Sequence, residues 1–174
     1  MKTRPKLLVV VTGLCLAVAL AGYAWFPVAP VSGTTADRVM VLKSQHKMIL
    51  FRNGQELCSY HISIGRSPVG PKTRVGDHKT PEGSYVLDSK NPHSVFHLAM
   101  HISYPNSSDR ERALKEGAAP GGSIMVHGIK NGLGWLGRLH RLVDWTDGCI
   151  ALTNAEMDQF WKLVPEGTPI EIRP

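Results

Sequence analysis

The sequence predicts a mainly β domain, a sandwich or barrel with a few flanking helices. Three observations predict it. Short apolar runs alternate with Gly-, Pro- and Asn-bearing turn signals along most of the chain. Only two segments carry helix-start signals. No stretch repeats another, and 174 residues with 43% apolar content suffice for a single core.

In order, Val39–Leu42 and Met48–Phe51 are strands, and Asn53-Gly54 is a tight-hairpin signal leading into a strand at Leu57–Ile64. Gly65–Gly83 is a Gly-, Pro- and Lys-rich loop. Ser84–Leu87 and Phe96–Ser103 are further strands. Ser108-x-x-Glu111 is a capping box, so a short helix runs from there to Gly117. Ser123–Val126 is a strand delivering His127-Gly128, and a Gly-rich segment follows at Ile129–Gly137. Thr153-x-x-Glu156 is a second capping box. Behind it Met157, Phe160, Trp161 and Val164 recur at helical spacing until Pro165 ends the helix. Thr168–Ile172 is the closing strand.

The formal charge of +6 divides evenly. Lys2, Arg4 and Lys6, with no acid before Asp37, supply one half, and an uncharged run Leu7–Phe26 follows them. Residues 1–26 therefore read as a signal peptide or an N-terminal membrane anchor. Residues 27–36, with Pro27, Pro30 and Gly33, are a linker, and residues 37–174 form the folded, exported body. The body is then only mildly basic, which gives no reason to expect a nucleic-acid partner. The composition also excludes a disordered chain.

The body holds two cysteines, Cys58 and Cys149, which an exported protein can pair as a disulfide. Cys58 lies inside an apolar strand pattern and reads as a small core residue. Cys149 follows Trp145-Thr146-Asp147-Gly148 at the mouth of a helix-forming segment, where backbone N–H groups lower a thiolate's pKa and can hold an oxyanion. A thiol nucleophile needs a base, and His127, at the end of a strand before Gly128, is the best-placed histidine.

His127-Gly128, a Gly-rich spacer and Thr146-x-Gly148-Cys149-Ile150 together resemble the signature of the L,D-transpeptidase (YkuD-type) catalytic domain family. Lys79-Thr80-Pro81-Glu82-Gly83, the run Phe96–Pro105 and the ending Gly167–Ile172 extend the resemblance over nearly the whole body. Asp144–Ala151 and His101–Asn106 resemble its YafK-like branch. The family pattern has His where Asp147 stands and Arg or Asn where Ala151 stands, so a substrate carboxylate would be held differently here.

The resemblance implies a YkuD-like fold with Cys149 as nucleophile and His127 as proton donor and acceptor. Gly148, Thr146 and Gly128 would provide oxyanion or supporting roles, with His101 as support from a neighbouring strand. It implies no cofactor and no metal. The partner is the peptidoglycan stem peptide in the periplasm or cell envelope, and possible acceptors are a second stem peptide, a wall-linked lipoprotein or water. Water as acceptor would make the domain a hydrolase. Membrane contact would come only through the N-terminal segment.

Two other classes compete. His93, His97 and His101 recur every fourth residue, as zinc ligands of a peptidase can, but Pro92 and Pro105 bracket them and no His-Glu-x-x-His accompanies them. A non-catalytic wall-binding module would use Lys72, Arg74, Lys79, Lys90 and Arg138 to attract anionic wall polymers. Trp135 and Trp145 are candidates for a substrate wall or for the core.

Overall fold

The computed structural model describes residues 34–174, which fall in the unit Ser32–Pro174. The export segment and most of the linker expected from the sequence lie outside the described residues. Among the described residues no helix is long and apolar enough to cross a membrane.

Eight strands form one sheet: β1 (Arg38–Leu42), β2 (Lys47–Arg52), β3 (Gln55–His61), β4 (Gly83–Asn91), β5 (Ala99–Ile102), β6 (Met125–His127), β7 (Ile150–Ala151) and β8 (Thr168–Arg173). Their spatial order is β3-β2-β1-β8-β4-β5-β6-β7. β1/β8 and β6/β7 pair parallel, and the other neighbours pair antiparallel. The sheet curls, because the chain just past β3 returns to the opposite end, where Ser63 bridges Ala151 and Gly65 bridges Thr146.

Alternation sets the inner face. Val39 and Val41 of β1, Ile170 and Ile172 of β8, and Leu87 of β4 are buried. The β2–β3 hairpin turns at Asn53-Gly54 with φ of 51° and 77°, the left-handed pair whose twist matches the flanking strands. α1 (Ser107–Lys115) and α2 (Asn154–Leu163) are the two α-helices among the described residues. Met157, Phe160 and Leu163 of α2 are buried. Trp161 is not: it is half-buried, with Lys90 Nζ stacked 5.0 Å from its ring centre.

Several boundaries move for local reasons. The first helix is capped by Asn106 and Asp109, not by Ser108 and Glu111. Asp109 is buried and accepts from Tyr85 Oη at 3.0 Å, whereas Glu111 faces solvent. β5 starts at Ala99 because the chain at His97 has φ 68°, and Phe96 O accepts from Gly128 N at 3.1 Å. β6 starts at Met125 because Ser123 is left-handed, at φ 56°. The Gly-rich segment after β6 is partly ordered as 3-10 turns over Gly134–Leu142, kinked at Gly137. Cys149 stands directly before β7, not at a helix mouth: the α2 N-cap is Thr153.

Candidate active site

β6 and β7 lie side by side, with His127 opposite Ala151. Cys149 precedes Ala151 by two positions, so its side chain falls on the face His127 occupies, one step along the neighbouring strand. The two residues line a common cavity of about 890 Å³ with Phe96, Met125, His140 and Trp145. Leu133, Leu136 and Leu139 also line it, and most of the wall is apolar.

His127 is 3% exposed. Its Nδ1 lies 2.6 Å from Gly128 O. A carbonyl only accepts, so Nδ1 carries the proton and Nε2 keeps its lone pair. Phe96 packs on the ring at 4.6 Å between centroids, and Trp145 meets it edge-on at 5.7 Å. Burial pushes the imidazole pKa below its ordinary value, partly opposed by the Gly128 carbonyl. Gly128 has no room for a side chain: a Cβ there would lie 2.9 Å from Asn154 Oδ1 and 3.1 Å from Phe96 O.

The Cys149 thiol donates to Ser123 O at 3.6 Å. Burial raises its pKa, a backbone hydrogen bond from Met125 lowers it, Asp147 raises it and Lys72 lowers it. At Cys149 desolvation thus outweighs the backbone donor, and burial shifts both thiol and imidazole toward their neutral forms.

The turn before Cys149 is closed by Thr146. Its buried Oγ1 donates to Cys149 O at 2.7 Å and accepts from Gly148 N at 3.1 Å. Gly148 N–H is therefore engaged within the turn. Gly148 itself sits at φ 125° against Lys79 O, and the backbone of Thr146 is pinned through Ile64 O and Arg66 N. His101 shares a strand with the cavity residue Ala99, but it hydrogen-bonds Asp88 at 2.7 Å and does not line the cavity.

The other expectations resolve by geometry. Cys58 and Cys149 are both free. Cys58 is in β3, donating to Tyr60 Oη at 3.3 Å. His97 pairs with Asp158 and His101 with Asp88, each at 2.7 Å, and among the described residues no three His, Cys, Asp or Glu side chains group as metal ligands. Lys72 is not a solvated loop lysine, since it is buried on Asp77 at 2.8 Å. Lys90 donates to Trp161 O at 2.7 Å. Trp145 lines the cavity and Trp135 lies exposed outside it. Sequence reasoning missed Phe96 and His140 as walls. Phe96 stood within a predicted strand, and nothing local marked either residue.

A curled sheet that presents a buried imidazole of fixed tautomer and a thiol in one apolar cavity defines a cysteine–histidine domain. The family model described as the L,D-transpeptidase catalytic domain, YkuD, matches residues 36–172, and the chain belongs to that family. A curated relative, YafK of Escherichia coli K12, provisionally named as an L,D-transpeptidase, is 28% identical over 132 residues, covering 72% of this chain and 46% of that protein. Among solved structures, Pgp2 of Campylobacter jejuni, described as a helical cell shape determining protein, matches with TM-score 0.61 and 25% identity over 81% of this chain and 48% of its own. Bd1075 of Bdellovibrio bacteriovorus matches with TM-score 0.57 and 28% identity over 82% and 49%. The chain spans about half the length of these relatives.

Proposed function

We propose that the domain is a peptidoglycan-modifying cysteine L,D-transpeptidase that forms a thioester on Cys149. One observation carries this reading: Cys149 and His127 line one cavity, with Nδ1 of the histidine committed to Gly128 O and Nε2 left basic. Family membership supports the substrate class, and the likeness to Pgp2, a cell shape determining protein, supports a role in the wall.

His127 Nε2 takes the Cys149 proton as the sulfur attacks the carbonyl of the diaminopimelyl residue in a stem tetrapeptide. A C–S bond forms, the carbonyl oxygen becomes an oxyanion, and of the two turn amides Cys149 N–H is the one left to donate to it, because Gly148 N–H is already engaged with Thr146. The tetrahedral intermediate collapses, the C–N bond breaks, and His127 returns the proton to the departing D-alanine amine. An acceptor amine, from a second stem peptide or a lipoprotein lysine, then attacks the thioester and releases the thiol. The shift of both groups toward their neutral forms suits this cycle, since the proton and the attack move in the same step. Thr146 and Gly148 hold the turn, and Gly128 fixes the base. The export segment read from residues 1–26 would place this chemistry in the envelope.

The test is incubation with defined muropeptides and mass spectrometry of both enzyme and products. A mass gain on Cys149, lost in Cys149→Ala, together with cross-linked product is expected. Product lacking any cross-link would make the domain a hydrolase of the same mechanism. Turnover surviving in Cys149→Ala and lost to a chelator would overturn the cysteine reading. Binding without turnover by the reduced enzyme would favour a wall-binding module.

A further inference from the structure

Two of the residues lining the cavity carry full charges, Lys130 and Asp147. Asp147 belongs to the same turn as Cys149. Its Oδ1 hydrogen-bonds Arg66 Nη2 and, at 2.7 Å, His78 Nδ1, both from the long β3–β4 connection. Among the described residues none bonds Oδ2. The carboxylate is 72% exposed, and exposed ion pairs of this kind contribute little to stability. The turn's backbone is already fixed through Thr146 and Gly148. Folding therefore does not account for a carboxylate oriented by a guanidinium and an imidazole at the cavity.

We propose that Asp147 is a specificity residue that binds a free ammonium on the acyl donor and so docks amine-bearing substrates against Cys149. The proposal rests on the thioester reading above and names what that site selects. A carboxylate is acceptor-only, and Arg66 and His78 orient it through one oxygen, leaving the other for an –NH₃⁺ donor. The diaminopimelyl residue carries such an ammonium at the end of its side chain. Arg66 and His78 keep the Asp147 carboxyl below its usual range, so it is ionised at neutral pH. Its charge also opposes ionisation of the Cys149 thiol, and an ammonium seated on Oδ2 offsets that opposition. Arg66 and His78 are positioning residues in this scheme.

The experiment uses the full chain and two stem tetrapeptides, one with its side-chain amine free and one N-acetylated. The rate of acyl-enzyme formation is read by mass spectrometry on wild type and Asp147→Asn. An ammonium–carboxylate pair at an exposed site, worth up to about 1 kcal/mol, supports a preference of up to about fivefold for the free amine. D147N is expected to lose that factor on the free amine alone, leaving the two peptides within about twofold. Wild-type preference should shrink in high salt. Equal loss on both peptides in D147N, an unchanged preference, or no wild-type preference would each overturn the proposal. Should D147N melt early, Asp147→Glu carries the test: it keeps the charge and must keep the preference. Loss of discrimination overturns only this proposal. Absence of an acyl-enzyme on both peptides overturns the thioester reading and this proposal with it.

Discussion

Replacing Gly148 with alanine tests whether the turn before Cys149 is as tightly constrained as its geometry implies. Gly148 has φ 125°, where an L side chain is strained, at a cost of about 1–3 kcal/mol. The added Cβ would also lie 2.5 Å from Lys79 O and 3.2 Å from Ile124 Cδ1. The carbonyl has little freedom to retreat. Lys79 N is held by Asp77 at 3.1 Å, and next to it Thr80 is bonded through Oγ1 to Gly65 N at 2.9 Å and through its carbonyl to Lys43 at 3.2 Å. Overpacking against fixed backbone costs about 1–3 kcal/mol more. G148A should therefore lose about 2–6 kcal/mol and melt roughly 6–18 °C earlier, taking about 3 °C per kcal/mol for a domain of this size. Gly76→Ala is the control, because Gly76 has φ 76° with nothing within 4 Å of the new methyl. It should cost only the left-handed strain, about 1–2 kcal/mol. Thermal melts of both variants followed by circular dichroism make the comparison, and acyl-enzyme formation should fall in G148A alone. If G148A melted no earlier than G76A and acylated normally, the turn could not be the constraint described.

Three further outcomes follow from other parts of the structure. Alkylation of Cys149 by iodoacetamide should rise steeply from pH 7 through pH 9 and beyond, because the folded thiol has a raised pKa and His127 a lowered one. A rate already level near pH 7 would instead reveal a thiolate–imidazolium pair. Burial, with Arg141 nearby, lowers His140 from 6.5 to about 4, so below pH 6.5 the unfolded chain takes up a proton the fold refuses. Stability is then complete above pH 6.5 and falls as pH drops toward 4, by about 2 kcal/mol at pH 5. His140→Leu should remove most of that loss in urea titrations at pH 7 and pH 5, His127 supplying a remainder of the same sign, and an unchanged loss would contradict the assignment. Lys43, buried, bonds Gly70 O at 2.7 Å, Thr80 O at 3.2 Å and Glu82 at 2.7 Å. Lys43→Met should cost about 3 kcal/mol by stranding Glu82. It should also slow acylation by loosening the Lys79–Thr80 support under Gly148. A wild-type melting temperature would refute that.

Local chemistry was legible wherever a short segment settles its own conformation. Asn53-Gly54 specifies a left-handed turn, and the Thr153/Glu156 capping box starts α2 where expected, with Glu156 N bonded to Thr153 Oγ1 at 3.3 Å. The first helix shows the limit of the same rule. Asn106/Asp109 prevails over Ser108/Glu111 because Tyr85, far off in sequence, gives Asp109 a buried partner. Cys149 and His127 stood out through a motif and its resemblance to a family, since the spacing alone left their contact to the fold.

What the sequence determined by itself is seven of the eight strands, β7 at Ile150–Ala151 being the one it missed, with the turn chemistry and the residue types able to act: one thiol after a glycine and one histidine at a strand end. The tertiary structure decided what those groups are. Parallel pairing of β6 with β7 brings His127 and Cys149 onto one face, Phe96 and Trp145 pack on the imidazole, and burial shifts both groups toward their neutral forms. Asp147 finds Arg66 and His78 across separations of 81 and 69 residues, so its environment could not be read from its neighbours. Desolvation and long-range hydrogen bonds are properties of the space around a side chain, and only the folded chain fixes which atoms fill that space.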